Sequence, residues 1–325
     1  MYATSGCKCY NDNMEQIIRQ FTKETVDEIK VIPGGHINES FLITGAGKYM
    51  LQRLNASLYK NSLNVLTSNY LSYRSACGGR TSSFEWNCPE WRKTKSGEYF
   101  YSDEKGGIWR MYEFIPGEIL TGKETETDAF SIGEGVGRLH GILRTIPPSE
   151  ITGVFPHLHD GSYYYEEYVK CAKCRTDRDD KLDRIIRKKA EEMLTPYPGR
   201  RSIIHADAKV ANMIFRQGKV VAFIDLDTMT EGSVFDDLAD CMRASCVDEN
   251  ANLMKERIKE LLDGYEEGAG VKLSGEEKEF ARVNVLKNRF MLGLRYYTDY
   301  LSKAGYFREE YPGENLYKAR RLLQE

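Results

Sequence analysis

The feature that most constrains this chain is a pair of short apolar runs joined by a turn, with polar side chains crowded at both outer ends. The runs cover residues 213–215 and 220–224, and Gln217-Gly218 lies between them. Apolar runs that flank a Gly-containing turn are typical of a β-hairpin. A hairpin brings its two outer ends together, so we expect the polar groups before and after it to gather in one place.

Those polar groups suit phosphoryl transfer. The side chains concerned are His205, Asp207, Lys209 and Asn212 before the hairpin, and Asp225 and Asp227 after it. A carboxylate can orient a hydroxyl and take its proton, oxygen ligands can hold Mg²⁺, and a lysine can offset phosphate charge. The spacing H-x-D-x-K-x-x-N followed by I-D-x-D is close to the catalytic loop and metal-binding aspartate of protein kinases. It therefore predicts a kinase-like site.

At these residues the chain resembles the aminoglycoside phosphotransferase and choline kinase superfamily, which shares the protein-kinase-like fold. Within that superfamily the likeness is greatest to N-acetylhexosamine 1-kinases. Residues 47–55 are similar to their Y-x-L-Q-R-x-N strand, and residues 155–160 to their F-H-D segment. Residues 294–301, with Tyr306-Phe307 and Asn315-Leu316, are similar to their C-terminal signature, so the likeness runs from about residue 30 to 325.

The resemblance implies an α+β, two-lobed fold. A β-rich nucleotide-binding lobe is expected at residues 1–115, and a mainly helical catalytic and acceptor-binding lobe at residues 116–325. The residue pattern agrees, because strands are expected within 28–55, at 108–114, near 203–204 and at 220–224. Helices are expected at 61–75, 127–144, 160–174 and 180–193, and from about 235 onward.

The resemblance also implies a role for each polar residue of the site. Asp207 would orient and deprotonate the acceptor hydroxyl, and Lys209 would contact the transferred phosphoryl group. Asn212 and Asp225 would hold Mg²⁺, and Asp227 would support the metal or the acceptor. His205 would brace the loop or simply pack in the core. Asp237 or Asp240 would tie loops together or lie at a solvated helix N-terminus, where carboxylates suit the helix dipole.

Nucleotide binding is expected at the N-terminal strands, through Gly34, Gly35, Asn38, Ser40, Arg53 and Glu113. The glycine turn could cradle phosphates with its amides or be a plain β-turn. Protein kinases pair a strand lysine with a helix glutamate. Here the strand has Gln52-Arg53, and no glutamate lies in the helix predicted at 61–75. Arg53 would either replace the lysine or be a surface arginine.

The acceptor is expected to meet an aromatic and basic set of residues. The candidates are Arg295, Tyr296, Asp299 and Tyr306, with Asp227 and His157 or His159. Sugars stack on aromatic rings and offer hydroxyls to polar side chains, although a Tyr-rich helix is often packed core.

The composition limits the classes of molecule that the chain is expected to bind. A net charge of -3 and a pI near 6.1 give no basic field for nucleic acid or membrane. No stretch has the roughly 18 apolar residues needed to span a bilayer, and no signal-peptide pattern is present. We expect a cytoplasmic monomer or homodimer, with Cys7 and Cys9 on a mobile terminus. The single Cys171/Cys174 pair is weak for zinc, which usually takes four ligands.

The resulting hypothesis is an ATP- and Mg²⁺-dependent kinase that phosphorylates a small-molecule hydroxyl, specifically the anomeric hydroxyl of an N-acetylhexosamine. Two alternatives remain open at this point. The acceptor could be an aminoglycoside, choline or homoserine-type metabolite, or the chain could be a catalytically silent kinase-like binding protein. A protein-substrate kinase is disfavoured, because no A-P-E segment follows Asp227.

Overall fold

A computed structural model describes residues 7–33, 37–78, 86–120, 128–175, 178–195, 199–248 and 252–323, with side chains from residue 13 onward in the first helix. Two compact units divide the chain, Met1–Pro116 and Gly117–Glu325. The predicted glycine turn at Gly34 and Gly35 lies outside the described residues.

The first unit is built around an antiparallel sheet. Its elements are α1 (Cys7–Phe21), β1 (Val26–Ile32), β2 (Glu39–Gly45), β3 (Lys48–Leu54), α2 (Ala56–Tyr59), α3 (Leu63–Gly78), β4 (Trp91–Arg92), β5 (Tyr101–Ser102) and β6 (Ile108–Glu113). The strand order is β1-β2-β3-β6-β4, and β5 also pairs with β6. The strands predicted within 28–55 and at 108–114 are therefore present.

Helix α1 covers one face of this sheet with the side chains from Met14 onward. Met14, Ile17, Ile18 and Phe21 recur at helical spacing and pack on strand residues such as Leu51. That i, i+3, i+4, i+7 pattern was the available sequence signal. The helix forms because it buries an apolar stripe that would otherwise face water.

The second unit is mostly helical. Its elements are α4 (Ala129–Leu143), α5 (Gly161–Lys173), α6 (Asp180–Leu194), β7 (Arg201–Ile204), β8 (Met213–Arg216), β9 (Lys219–Phe223), β10 (Thr230–Ser233), α7 (Val234–Ser245), α8 (Lys255–Ala269), α9 (Gly275–Ser302) and α10 (Glu314–Leu323). Strands β8 and β9 form the predicted hairpin, and β7 pairs with β10. Strand β10 was not predicted, since its partner lies far away in sequence.

Two packing arrangements organise the second unit. Helices α5, α6, α9 and α10 share a core that includes Tyr168, Leu182 and Leu294. Helices α4 and α8 cross closely through glycines, because a Cβ at Gly133 would overlap the Leu261 carbonyl oxygen. Their close approach fixes the helix that carries His140, a residue of the site described below.

In the part of the chain that the structure describes, no helix is both long enough and apolar enough to cross a membrane.

Candidate active site

The β8–β9 hairpin brings the two predicted groups of polar residues together. Met213 pairs with Phe223 across the ladder, and the Ile224 amide donates to the Asn212 carbonyl at 2.9 Å. Asn212 therefore lies opposite the residue that immediately precedes Asp225. Asp225 itself adopts a left-handed conformation with φ 62°, which ends the strand and turns the chain.

Asp207 has two polar partners on one carboxylate oxygen. Lys209 Nζ donates to its Oδ2 at 2.7 Å, and Asn212 Nδ2 donates to the same oxygen at 3.0 Å. Asn212 Nδ2 also lies 2.8 Å from the Asp207 carbonyl. Both side-chain bonds end on Oδ2, and neither involves the other oxygen, Oδ1. The side chains of Asp207 and Lys209 are 29% and 34% exposed, so both can be reached from solvent.

The charge environment keeps Lys209 a cation. Burial alone would lower the pKa of Lys209, but the carboxylates of Asp207, Asp225 and Asp240 raise it above its ordinary value. The ammonium group thus sits among three negative charges, two of them on residues predicted to be catalytic or metal-binding. An ammonium held in that position can offset charge on a phosphoryl group.

His205 braces the loop from within the core. Its side chain is fully buried, and Nε2–H donates to the Ile224 carbonyl at 2.9 Å. Nδ1 accepts from the Asp207 amide at 3.3 Å, and these two bonds define the neutral tautomer. One imidazole therefore links the chain at Asp207 to the chain just before Asp225.

Asp237 supports the same loop and is not a solvated helix-terminal residue. It is completely buried, and its carboxylate accepts bonds from the amides of His205 at 2.8 Å and Ala206 at 2.7 Å. It also accepts from His140 Nε2 at 2.8 Å. Burial would raise the pKa of Asp237, but the hydrogen bond and charge of His140, with the hydrogen bond from the His205 amide, hold it below its ordinary range. The loop-tying interpretation of the acidic run is the one the geometry supports.

A second histidine, His159, holds the residue next to Asp207. Its Nε2 donates to the Ala206 carbonyl at 2.9 Å and lies 3.8 Å from a carboxylate oxygen of Asp240. Ala206 and His159 both have left-handed backbones, with φ 65° and 61°. Such conformations in residues other than glycine cost free energy and cluster at functional sites.

The proposed metal ligands suit a hard divalent cation. Asn212 directs its Nδ2 group to Asp207, so the amide oxygen of Asn212 faces the other way. Asp225 follows Ile224, the residue opposite Asn212 across the hairpin. Mg²⁺ binds to one or two carboxylates and completes its shell with water and phosphate oxygens. Among the described residues, no group of three or more His, Cys, Asp or Glu side chains is arranged to hold a metal ion. An amide oxygen and a carboxylate are hard donors of the kind that Mg²⁺ prefers.

Several predicted acceptor residues lie on one aromatic surface. His157 stacks on Tyr163 with ring centroids 3.9 Å apart, and Tyr163 meets Tyr164 edge to face. The Arg295 guanidinium lies 4.8 Å from the Tyr164 ring and 5.7 Å from the Tyr306 ring. The segments at 155–164 and 295–307 thus meet. We call His157, Tyr163, Tyr164, Arg295 and Tyr306 the aromatic surface.

Three other predicted acceptor residues are placed differently. Asp299 is buried, and its carboxylate accepts from the amides of Tyr306 and Phe307 and from Asn315. Through these bonds Asp299 holds the turn at Tyr306, and its contact with an acceptor stays a prediction. Asp227 is also buried, at 2% exposure. Tyr296 is half-buried and packs on Phe307.

The predicted nucleotide residues in the first unit do not share one surface. Asn38 Oδ1 accepts from the Asn55 amide, Ser40 Oγ accepts from Gln52, and Glu113 pairs with Arg92 at 2.7 Å. Arg53 lies over the Trp109 ring and pairs with Glu39. Trp109 belongs to the core under α1, so Arg53 is on the α1 face, opposite to Ser40. The surface-arginine interpretation fits it better than replacement of the strand lysine.

Comparison with known proteins identifies the family. Residues 28–271, about three quarters of the chain, match the phosphotransferase enzyme family, APH. The chain belongs to this family. The chain is therefore a phosphotransferase, an enzyme that transfers a phosphoryl group to a hydroxyl.

Solved structures agree on the fold. The amicoumacin kinase hAmiN, in complex with AMP-PNP, Ca²⁺ and Ami, is 14% identical, with 98% of this chain and 95% of that chain covered and a TM-score of 0.65. The GDP complex of aminoglycoside 2'-phosphotransferase-IIIa is 11% identical, with 97% and 98% covered and a TM-score of 0.64. The macrolide 2'-phosphotransferase MphH from Brachybacterium faecium is 12% identical, with 96% and 97% covered and a TM-score of 0.60. The predicted kinase-like fold is confirmed.

Sequence reasoning missed several residues of this phosphotransferase. Tyr163 and Tyr164 join the aromatic surface, and their adjacency to the F-H-D segment was an available signal. His140 was overlooked on an apolar helix, where a buried polar side chain must find partners.

Proposed function

We propose that this phosphotransferase uses ATP with Mg²⁺ to phosphorylate a sugar hydroxyl, and that the acceptor is the anomeric hydroxyl of an N-acetylhexosamine. The first unit is assigned to nucleotide binding, and the second to catalysis and acceptor binding. The observation that carries the proposal is the convergence of Lys209 and Asn212 on one oxygen of Asp207, beside the turn that carries Asp225.

In the proposed mechanism, Asp207 orients the acceptor hydroxyl through Oδ1 and accepts its proton as the hydroxyl oxygen bonds to the γ-phosphorus of ATP. The bond from the γ-phosphorus to the bridging oxygen breaks, and ADP leaves. Lys209, held on Oδ2, offsets negative charge on the transferred group. Asn212 and Asp225 would hold Mg²⁺, which supplies charge neutralisation for phosphate oxygens when bound. His205, His159 and Asp237 keep the Asp207 loop in its strained conformation, so that little reorganisation is needed during the reaction.

Comparison with structural neighbours supports the donor and the metal. The neighbour amicoumacin kinase is complexed with AMP-PNP and Ca²⁺, which makes ATP with a divalent cation the natural pair for this chain. Another neighbour is complexed with GDP, so the test of the donor includes GTP.

Several carboxylates of the second unit are already paired, which favours a neutral sugar acceptor over a cationic one. Asp237 is bonded to His140, and Asp240 accepts bonds from Arg243 and Asn288. Glu231 pairs with Arg201. Carboxylates that are already paired have less to gain from binding an ammonium group. The aromatic surface, by contrast, offers the ring faces on which sugars stack.

The test is a product assay with ATP or GTP and Mg²⁺ over N-acetylglucosamine, N-acetylgalactosamine, other sugars, choline, homoserine and kanamycin-type amines. We expect turnover with an N-acetylhexosamine and loss of its reducing end, because phosphorylation at the anomeric oxygen removes it. Tyr306→Phe and Arg295→Ala are expected to raise the acceptor KM about tenfold, by loss of polar and stacking contacts. Tyr317→Phe, at an exposed position of helix α10, is the matched control.

Two results would contradict the proposal. Turnover only with cationic acceptors would replace the sugar with an aminoglycoside or choline-type substrate. Nucleotide binding that ignores Mg²⁺, without turnover of any acceptor, would instead favour a catalytically silent binding protein.

A further inference from the structure

Helix α3 packs along one face against the segment that leads into β4. The Tyr70 ring stacks on Trp91 with centroids 4.2 Å apart and 2° between the ring planes, and the Tyr70 hydroxyl accepts from the Trp91 amide at 2.9 Å. Tyr73, further along α3, is fully buried, and its hydroxyl accepts from Trp86 Nε1 at 3.0 Å. These contacts hold residues 86–91 beside the helix.

An ion pair crosses the same boundary next to two cysteines. Arg74 Nε of α3 lies 2.7 Å from Glu90 Oε2 of the segment. Arg74 is just under one helical turn before Cys77, and Glu90 follows closely after Cys88. The neighbours of both cysteines are thus joined, which brings Cys88 towards the last turn of α3.

The two thiols are in contact with each other. Cys77 lies one helical turn after Tyr73, so the two side chains are neighbours on the surface of α3. Cys77 and Cys88 share a hydrogen bond, and Cys77 is also hydrogen-bonded to the Tyr73 hydroxyl. Neither cysteine is in a disulfide, and both are partly exposed, so a small oxidant can reach them. Two accessible thiols that touch meet the first requirement for a disulfide, which is close approach of the two sulfurs.

We propose that Cys77 and Cys88 are a redox-active pair, which a small-molecule disulfide such as oxidised glutathione converts into an intrachain disulfide. The Cys77 thiolate attacks the S–S bond of the oxidant, which gives a mixed disulfide and releases one small thiol. Cys88 then loses its proton and attacks the Cys77 sulfur, which forms the Cys77–Cys88 bond and releases the second small thiol. Two protein thiols are oxidised, and one oxidant disulfide is reduced to two thiols. The inference does not depend on the proposed function.

The order of the two attacks follows from the bond between the thiols. The hydrogen bond with Cys77, together with burial, raises the pKa of Cys88 well above its ordinary value, so Cys88 keeps its proton in the first step. Once Cys77 is part of the mixed disulfide, its sulfur is no longer a thiolate, and the main cause that held the proton on Cys88 is weakened. Cys88 is therefore the thiol that completes the exchange.

The disulfide would tie the end of α3 to the segment before β4. It closes a covalent loop through residues 78–87, which restricts the unfolded chain and thereby stabilises the folded one. We expect the oxidised protein to melt about 5 °C higher than the reduced protein, and a reductant to reverse the shift.

The experiment is a peptide map of the full chain after incubation with oxidised glutathione, made without reductant and read by mass spectrometry. Trypsin cleaves after Arg74, Arg80 and Arg92, so peptides 75–80 and 81–92 each hold one of the two cysteines. We expect the wild type to give these two peptides as a linked pair that dithiothreitol separates.

Cys88→Ser tests the order of attack, because it lacks the thiol that completes the exchange. We expect this variant to stop at the mixed disulfide, with glutathione on peptide 75–80. Cys241 and Cys246 are the internal control, since both are completely buried and should stay reduced while the protein is folded.

Three results would overturn the proposal. The first is a wild type that gives no linked pair, or gives it only together with oxidation of Cys241 and Cys246, since such a product comes from unfolded protein. The second is a linked protein that melts no higher than the reduced one, which would mean that the bond does not fit the native packing. The third is a Cys88→Ser protein whose peptide 75–80 carries no glutathione, which would show that Cys77 is not the attacking thiol.

Discussion

Asp237 shows how one buried side chain can set the geometry of a reactive loop that it does not join. Its two oxygens accept hydrogen bonds from two main-chain amides and one imidazole. Because Asp237 is completely buried, solvent does not compete for these bonds. The bonds fix the peptide groups on both sides of His205. They thereby hold Ala206 in its left-handed conformation. The position of Asp207 thus depends on a carboxylate 30 residues away in sequence.

Asp237→Asn is the test at this scale. The amide keeps the shape but turns an NH₂ group toward donors, so we expect a loss of about 2–4 kcal/mol in the free energy of unfolding. Turnover should fall with it, because the loop loses its support. Urea titration checks the stability. Asp263→Asn, at an exposed ion pair, should change it by about 0.5 kcal/mol or less. Equal effects of the two substitutions would refute the assigned role.

Glycines on both helices allow α4 and α8 to cross at close distance. Gly133 and Gly137 of α4 face Gly264 and Gly268 of α8, and a Cβ at each would overlap backbone of the opposite helix. His140 of α4 reaches Asp237 with one ring nitrogen and the Tyr265 hydroxyl of α8 with the other. Close packing of the two helices therefore places a histidine of the site.

Gly264→Ala is expected to destabilise the protein by about 2–3 kcal/mol, because the added methyl meets the Phe130 carbonyl and the helices must separate. Gly275→Ala is the control, since a Cβ there has open space and alanine favours the helix. Thermal and urea unfolding of both variants give the comparison. A Gly264→Ala protein as stable as Gly275→Ala would show that the crossing is loose.

The elements that the sequence predicted are those whose signals are local. The hairpin at 213–224 follows from two apolar runs and a Gln-Gly turn, and its folding back brings Asn212 near Asp225. Strand β10 and the burial of Asp237 depend on partners far along the chain, so no local pattern could predict them. The face that carries Arg53 depends on strand register, which a single strand does not reveal.

At the scale of the whole molecule, the second unit depends on a buried acid at the junction of α8 and α9. Burial would raise the pKa of Glu266, but bonds from the Leu273 amide, Lys272 and Lys278 lower it to about 2. The folded-state pKa is below the ordinary value of 4.5. The stabilisation is therefore complete above that value and is lost as the pH falls toward 2.

Glu266→Gln should therefore cost on the order of 2 kcal/mol at pH 7 and clearly less at pH 3, where the carboxylate of the unfolded chain is already protonated. Urea unfolding of the wild type and the variant at both pH values measures the difference. A cost that does not shrink in acid would mean that the ionised carboxylate is not what stabilises the junction.

The central claim is that Asn212 and Asp225 hold a divalent ion while Asp207 serves the acceptor. Calorimetry of AMP-PNP binding with and without Mg²⁺ tests it most directly, on the wild type, Asp225→Asn and Asp207→Asn. We predict that Mg²⁺ strengthens binding to the wild type and to Asp207→Asn, but that Asp225→Asn loses this gain by roughly tenfold or more. A gain that survives in Asp225→Asn and disappears in Asp207→Asn would contradict the assigned roles.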